Sequence, residues 1–296
     1  MKTILITGGA GFFCTILKKE FLKKDYVCIS IDLEPDSFTD PNFIAIQGDI
    51  RNRELLDSLF QKYNFDAIFH CAAMLAHDRS KKNELWTSNV DGTQNIADYA
   101  KKYQVPKIIF ISSNCLWAQN FDTPVKETEF PNPIEIYGKS KWEGEKILMS
   151  QKHIVPCIIF RSPTIMDEGR LGLLSILFEF IDENRKLPMV GDGKNIYQFI
   201  YAKDFVHAFE LALDYPKSEI FNIGSDHVKT FNEVYEYVIQ KSGSKSKLRH
   251  YPKSIMTLGM KIAYLLRFIS FRSLPIQNDF GKFCFWYNKN KKRIGI

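Results

Sequence analysis

Short apolar runs separated by amphipathic stretches set the rhythm of the chain up to about residue 160. Thr3–Thr7, Val27–Ile31, Phe43–Ile46, Ala67–His70, Lys107–Ile111 and Pro156–Phe160 have the length and continuous hydrophobicity of strands buried on both faces. Helical patterns fill the gaps, over Phe12–Lys24, about Asn52–Tyr63, about Asn83–Tyr103, and a stretch carrying Tyr137 that runs to about Gln151. Regular alternation of this kind predicts an α/β fold, a Rossmann-type doubly wound parallel sheet with helices on both faces.

Beyond Arg161 the rhythm changes. Helices over about Leu171–Glu183, Lys203–Leu213 and Phe231–Ser242 alternate with extended pieces at Pro188–Gly193, Tyr197–Tyr201, Ile220–Gly224 and near Lys247–Tyr251. We expect a Rossmann domain over 1–160, with segments returning to it at about 195–224. The remainder, 161–194 and 225–296, is expected to form a smaller C-terminal α/β substrate lobe capping the carboxyl edge of the sheet. An apolar helix is expected from about Ser254 to Phe271. Its apolar segment Ile255–Phe271 is interrupted by Lys261 and Arg267 and falls short of the ~20 residues that cross a bilayer. A packed lobe helix or an oligomer contact is favoured there over an interfacial membrane helix, and no integral membrane span is expected.

Composition adds little. Of 296 residues, 45% are hydrophobic and 25% charged, which is ordinary for a soluble domain. The net charge of +6 suits an anionic small-molecule ligand as well as simple solubility, and no nucleic-acid-binding signature accompanies it. The six cysteines have neither Cys-x-x-Cys nor metal-ligand spacing, so no metal site is expected. Met1-Lys2 leads directly into the first strand, and a cytoplasmic location is the default expectation.

Two motifs carry chemistry. The first apolar run ends in Gly8-Gly9-Ala10-Gly11 and opens a helix, the arrangement that lets backbone approach a pyrophosphate at a helix N-terminus. Asp32 closes the second strand 21 residues beyond Gly11, near the ~20-residue offset at which an acid meets the adenosine ribose hydroxyls. A carboxylate there repels a 2′-phosphate and no Arg follows to accept one, so NAD is favoured over NADP. The second motif is Tyr137-x-x-x-Lys141. On a helix the two side chains share a face, and the ammonium favours the phenolate as a proton acceptor. The spacing occurs four times, at Tyr103, Tyr137, Tyr237 and Tyr287, but only Tyr137 follows a buried strand that delivers hydroxyls, Ser112 and Ser113, at its carboxyl end. Ser113 is expected to hydrogen-bond the substrate oxygen that Tyr137 deprotonates, and Lys141 to hold the nicotinamide ribose as well.

These features stand in order with Gly48-Asp49-Ile50, His70-Cys71-Ala72-Ala73, Asn89, Arg161-Ser162-Pro163, Gly191-Asp192-Gly193 and Asn222-Ile223-Gly224. Together they resemble the extended short-chain dehydrogenases/reductases, within them the NAD-dependent epimerase/dehydratase family, and in particular sugar-nucleotide 4-epimerases. The resemblance covers nearly the whole chain. It implies catalytic Ser113, Tyr137 and Lys141. It implies cofactor contacts from Gly8, Gly9, Ala10, Gly11, Phe12, Phe13, Asp32, Leu33, Asp49, Ile50, Cys71, Ala72, Ala73, Asn89, Ser112, Tyr137, Lys141 and Pro163. Met74, Ser113, Asn114, Cys115, Thr164 and Tyr197 would meet the substrate, with Asp49 and Ile50 near the adenine. A homodimer paired through the helices near Asn83–Tyr103 and Ile134–Gln151 is also implied.

Three departures bear on function. Cys14 replaces the third glycine of the fingerprint, Asn114-Cys115 stand where sugar 4,6-dehydratases carry Asp-Glu, and Tyr197 replaces an arginine that clamps a substrate diphosphate in many members. Dehydration needs an extra acid and base. The expected activity is therefore an NAD-dependent epimerase of a nucleotide sugar, passing through a transient 4-keto intermediate. The alternative is an NAD(P)-dependent dehydrogenase or reductase of a deoxysugar, steroid-like or other small carbonyl or alcohol.

Overall fold

The computed structural model describes residues 1–75, 79–117, 123–168 and 174–255. The chain forms two compact units, one of Met1–Ile165 with Ile200–Gly224, the other of Met166–Phe199 with the segment from Ser225 onward.

The first unit is built on seven strands: β1 (Thr3–Thr7), β2 (Val27–Asp32), β3 (Phe43–Gln47), β4 (Ala67–His70), β5 (Ile108–Ser113), β6 (Cys157–Ser162) and β10 (Glu219–Asn222). They lie in the order β10-β6-β5-β4-β1-β2-β3, and every pairing is parallel. β1, β4, β5 and β6 are buried almost throughout, as a sheet covered on both faces demands. At the edge, β3 exposes Ile44. α1 (Phe12–Leu22) and α7 (Ala202–Asp214) close one face over a core in which Phe13 stacks on Phe205 at 4.8 Å. α2 (Arg53–Lys62), α4 (Gly92–Lys102) and α5 (Ile136–Ser150) supply the core of the other face, among them Leu56, Phe60, Ile96 and Leu148. The strand order reverses between β1 and β4, the switch point at which open α/β sheets bind ligands.

The expected long helix over Asn83–Tyr103 is interrupted. A short helix α3 (Lys82–Trp86) passes into a π-helical turn over Thr87–Asp91 before α4 begins. Buried Asn89 lies in that turn, a setting in which such widened turns are often functional.

The chain crosses between units three times, within β7 (Thr164–Met166), within β9 (Phe199–Tyr201) and after Gly224. In the second unit, β8 (Leu187–Val190) pairs in parallel with β11 (Leu248–Tyr251). α6 (Leu174–Asp182) and α8 (Phe231–Ser242) complete it around Ile181, Leu187, Met189 and Tyr235. α8 begins with a capping box between Thr230 and Glu233 and ends on Gly243 at φ 68°, the left-handed closure glycine permits. The expected apolar helix to Phe271 lies outside the described residues from 256 on. Among the described residues no helix is long and apolar enough to cross a membrane.

Candidate active site

The glycine turn after β1 is tight. Gly8 holds φ +75°, and a Cβ there would lie 2.8 Å from Ala72 Cα, so only glycine fits both the conformation and the space. α1 follows Gly11 with no side-chain cap and no acid in its first turn, a helix N-terminus of the kind that attracts an anion. Cys14 fills the place of the third glycine without opening the packing. It is buried, in hydrogen-bonding contact with the Cys71 thiol, which burial pushes well above the usual thiol range. The turn and helix therefore suit a dinucleotide pyrophosphate, with Gly8–Phe13 around it.

Asp32 is oriented by backbone. Its Oδ2 accepts from Ala10 N–H at 3.0 Å and its Oδ1 from Glu34 N–H at 3.0 Å, while the Leu33 side chain is exposed. At the end of β3 the Asp49 carboxylate is bound by the Arg51 guanidinium at 2.6 Å, which also donates to Thr87 Oγ1 at 2.9 Å. Partial burial works against the Asp49 charge, but the Arg51 hydrogen bonds and charge outweigh it and hold the carboxyl below its ordinary range. Ile50 beside it is buried, close against Gly92.

A buried chain of hydrogen bonds runs behind the switch point. Ala72 N–H donates to Thr7 Oγ1 at 3.1 Å, which meets His70 Nδ1 at 2.7 Å. His70 Nε2 meets Thr93 Oγ1 at 2.8 Å, and Thr93 donates to the Asn89 carbonyl at 2.6 Å. Because the single Thr93 proton goes to Asn89, His70 Nε2 carries the hydrogen, and Nδ1 accepts from Thr7. Each group is satisfied with a neutral imidazole. Burial, reinforced by the charge of Lys141, lowers the His70 pKa to about 3. Asn89 extends the chain. Its Oδ1 accepts from Met74 N–H at 2.7 Å, and its Nδ2 donates to the Met74 carbonyl at 3.0 Å and to Ser140 Oγ at 2.9 Å. Ser140 donates to the Tyr137 carbonyl at 2.8 Å. The strand ends that carry the nucleotide turn are thus tied to the helix that carries Tyr137.

Tyr137, half-buried, and Lys141, buried, lie one turn apart in α5. Gly138 lets that first turn press on the loop after β5, since a Cβ there would stand 2.3 Å from the Cys115 carbonyl oxygen. Ser113 ends β5 and caps the following turn, its Oγ accepting from Cys115 N–H at 3.1 Å, a contact that leaves its proton to donate. The Lys141 ammonium lies 4.2 Å from the Phe110 ring centroid. Burial drives its pKa down to about 7, against the opposing charges of Cys71 and Glu145.

Glu145, one turn beyond Lys141, was missed in the sequence. It accepts from Ser112 Oγ at 2.5 Å and is held by the Arg161 guanidinium, Nη2 to Oε2 at 2.8 Å, in an ion pair both of whose side chains are buried. Arg161 also donates to the Glu127 carbonyl at 3.0 Å and lies over the Trp117 ring. The step Tyr137, Lys141, Glu145 was the available signal, because a third residue at the same spacing lies on the same face.

Of the expected site residues, Gly8–Phe13, Asp32, Cys71, Ala72, Ala73, Met74, Ser113, Asn114, Cys115, Tyr137 and Lys141 gather at the carboxyl ends of β1, β2, β4 and β5 or on the helix turns that adjoin them. Two expected cofactor contacts spend their side-chain hydrogen bonds within the protein: Asn89 on Met74 and Ser140, and Ser112 on Glu145. Pro163 follows β6 and is buried, and Thr164 comes next. Tyr197 belongs to the second unit, where its ring lies 4.8 Å from Phe199 and stacks on Phe231 at 5.8 Å.

Comparison with known proteins agrees with this architecture. The chain is 30% identical over 268 residues to an uncharacterized protein, y4nG, of Sinorhizobium fredii, an alignment spanning 90% of this chain and 67% of that one. It is 26% identical over 318 residues to a mouse dTDP-D-glucose 4,6-dehydratase, covering 98% of this chain and 89% of the relative. The crystal structure of a UDP-glucose 4-epimerase of Thermotoga maritima, solved with UDP-glucose, superposes with a TM-score of 0.74 at 25% identity, over 84% of this chain and 85% of that one. The model of the NAD dependent epimerase/dehydratase family matches residues 4–224. With its parallel sheet, glycine turn and Tyr137/Lys141 helix, the chain belongs to that family and is one of its NAD-dependent enzymes.

Proposed function

We propose that the protein epimerises a nucleotide sugar at C4. The observation that carries this over dehydration is the segment Ser112-Ser113-Asn114-Cys115-Leu116-Trp117, which holds the hydroxyl of Ser113 beside the Tyr137 helix but offers no carboxyl group. Removal of water from C5–C6 requires an acid and a base in addition to the C4 machinery. Inversion at C4 requires none.

Bound NAD supplies the acceptor and later donor of the C4 hydrogen. The protein's part is proton transfer and alignment. Tyr137 as phenolate takes the proton of the sugar O4 and returns it after the 4-keto ring has turned over. Ser113 donates its free proton to the same oxygen and keeps it in line. Lys141, nearly balanced between its two protonation states at neutral pH, favours the phenolate when charged. Glu145 and Arg161 hold the strand and helix together, and the His70 chain fixes the distance from the glycine turn to Tyr137.

A second reading, net oxidation or reduction of a small alcohol or carbonyl, draws support from Tyr197. Its aromatic packing in the second unit puts no cation where an arginine would grip a diphosphate. Incubating the purified protein with UDP-glucose and dTDP-glucose, without added NAD, separates the two. Catalytic epimerisation by protein carrying its own cofactor supports the first reading. Failure to convert either nucleotide sugar, with steady NADH production from an alcohol substrate once NAD is added, supports the second.

A further inference from the structure

A lysine with no exposed surface lies behind the nucleotide turn. The Lys18 ammonium donates to the Gly9 carbonyl at 3.2 Å and faces the Phe38 and Phe43 rings at 5.1 and 4.8 Å. A buried cation among aromatic rings and one carbonyl needs an anion. The protein provides one in Asp36, whose Oδ2 binds the ammonium and whose Oδ1 accepts from Phe38 N–H at 3.1 Å.

Asp36 also faces outward. With Ala10, Thr15, Pro35, Ser37, Phe38 and Thr39 it lines a cavity of about 450 Å³. The cavity shares Ala10 with the ribose carboxylate, because Ala10 N–H is the group that donates to Asp32. Cavity, Asp36 carboxylate and Lys18 ammonium therefore follow one another inward from the corner at which the adenosine ribose is held. Of the lining hydroxyls, that of Thr15 donates to the Gly11 carbonyl at 3.1 Å, which leaves Ser37 and Thr39, and Lys19 places a further cation 5.7 Å from the Phe38 ring. Without Asp36 the corner would offer a buried ammonium and hydroxyl donors, a setting that attracts phosphate.

We propose that the Lys18–Asp36 pair is a second determinant of cofactor choice. Asp36 occupies, as a tethered carboxylate, the anion position that an adenosine 2′-phosphate would take against Lys18. Repulsion by half-exposed Asp32 is thereby joined by neutralisation of a buried cation that could offset it. The proposal rests on dinucleotide binding at the glycine turn, not on the reaction that follows, so binding of half-cofactors tests it without turnover.

Calorimetric titration of the full chain, freed of bound nucleotide, with 5′-ADP and 2′,5′-ADP gives the readout. Asp36→Asn is expected to raise the affinity for 2′,5′-ADP relative to 5′-ADP by about tenfold or more, and NADP relative to NAD in the same sense. Asp36→Ser, which opens the same space, should shift the ratio likewise. Adding Lys18→Met to either variant should abolish the gain. An equal loss for both nucleotides would make Asp36 a loop-ordering residue and overturn the proposal. So would a gain that survives Lys18→Met.

Discussion

The Lys141 ammonium lies 4.2 Å from the centroid of the Phe110 ring, on a residue only 3% exposed. Its pKa falls from 10.5 to about 7, so between those values the folded protein binds fewer protons than the unfolded chain. Stability contributed by this group therefore rises with pH across that window, and at pH 6 the buried charge is a net cost. Lys141→Met is expected to stabilise the protein by about 2 kcal/mol at pH 6 while removing turnover. Urea unfolding at a series of pH values should show the rise above pH 7 flattened in the variant.

Glu145 and Arg161 behave as a unit. Removing one partner leaves a buried charge alone, and Glu145→Leu should cost about 3–5 kcal/mol. The double variant Glu145→Leu/Arg161→Met should recover most of that loss. Additive costs in a double-mutant cycle would refute the coupling.

His70 predicts an effect of the same sign on the acid side. Its pKa lies near 3 when folded against 6.5 ordinarily, so stability is complete above 6.5 and is lost as pH falls toward 3. His70→Gln should be less stable at pH 7, by about 2 kcal/mol for the broken chain of hydrogen bonds. It should lose less than the native protein on going from pH 6.5 to 4, as read from thermal midpoints.

Gly138 tests geometry rather than charge. A methyl group there meets the Cys115 carbonyl oxygen at 2.3 Å, so Gly138→Ala must push the first turn of α5 away from the loop carrying Ser113. We expect kcat to fall by about 100-fold with NAD affinity unchanged.

β1, β4, β5 and β6 were legible because each is built on a short, mostly apolar run, and Asp32 and Tyr137 because a turn or helix fixes their spacing. What escaped depends on partners distant in the chain. The π-helical turn at Thr87–Asp91 is invisible to periodicity, and the bonds of its Asn89 to Met74 and Ser140 join residues far apart in the chain. Nothing in the local sequence singles out Lys18, and only the fold brings Asp36 and two aromatic rings to it. Asn89 and Ser112 are expected cofactor contacts from their place in a motif, and the hydrogen bonds of their side chains to Met74, Ser140 and Glu145 could not be read there.

The fate of the hydrogen on C4 tests the central claim most directly. UDP-glucose deuterated at C4 should yield its C4 epimer with the deuterium still on C4, with no steady rise in NADH absorbance and no loss of water, and Tyr137→Phe should abolish the conversion while still binding NAD. A 4-keto-6-deoxy product carrying deuterium at C6, or a released ketone with stoichiometric NADH, would contradict the account.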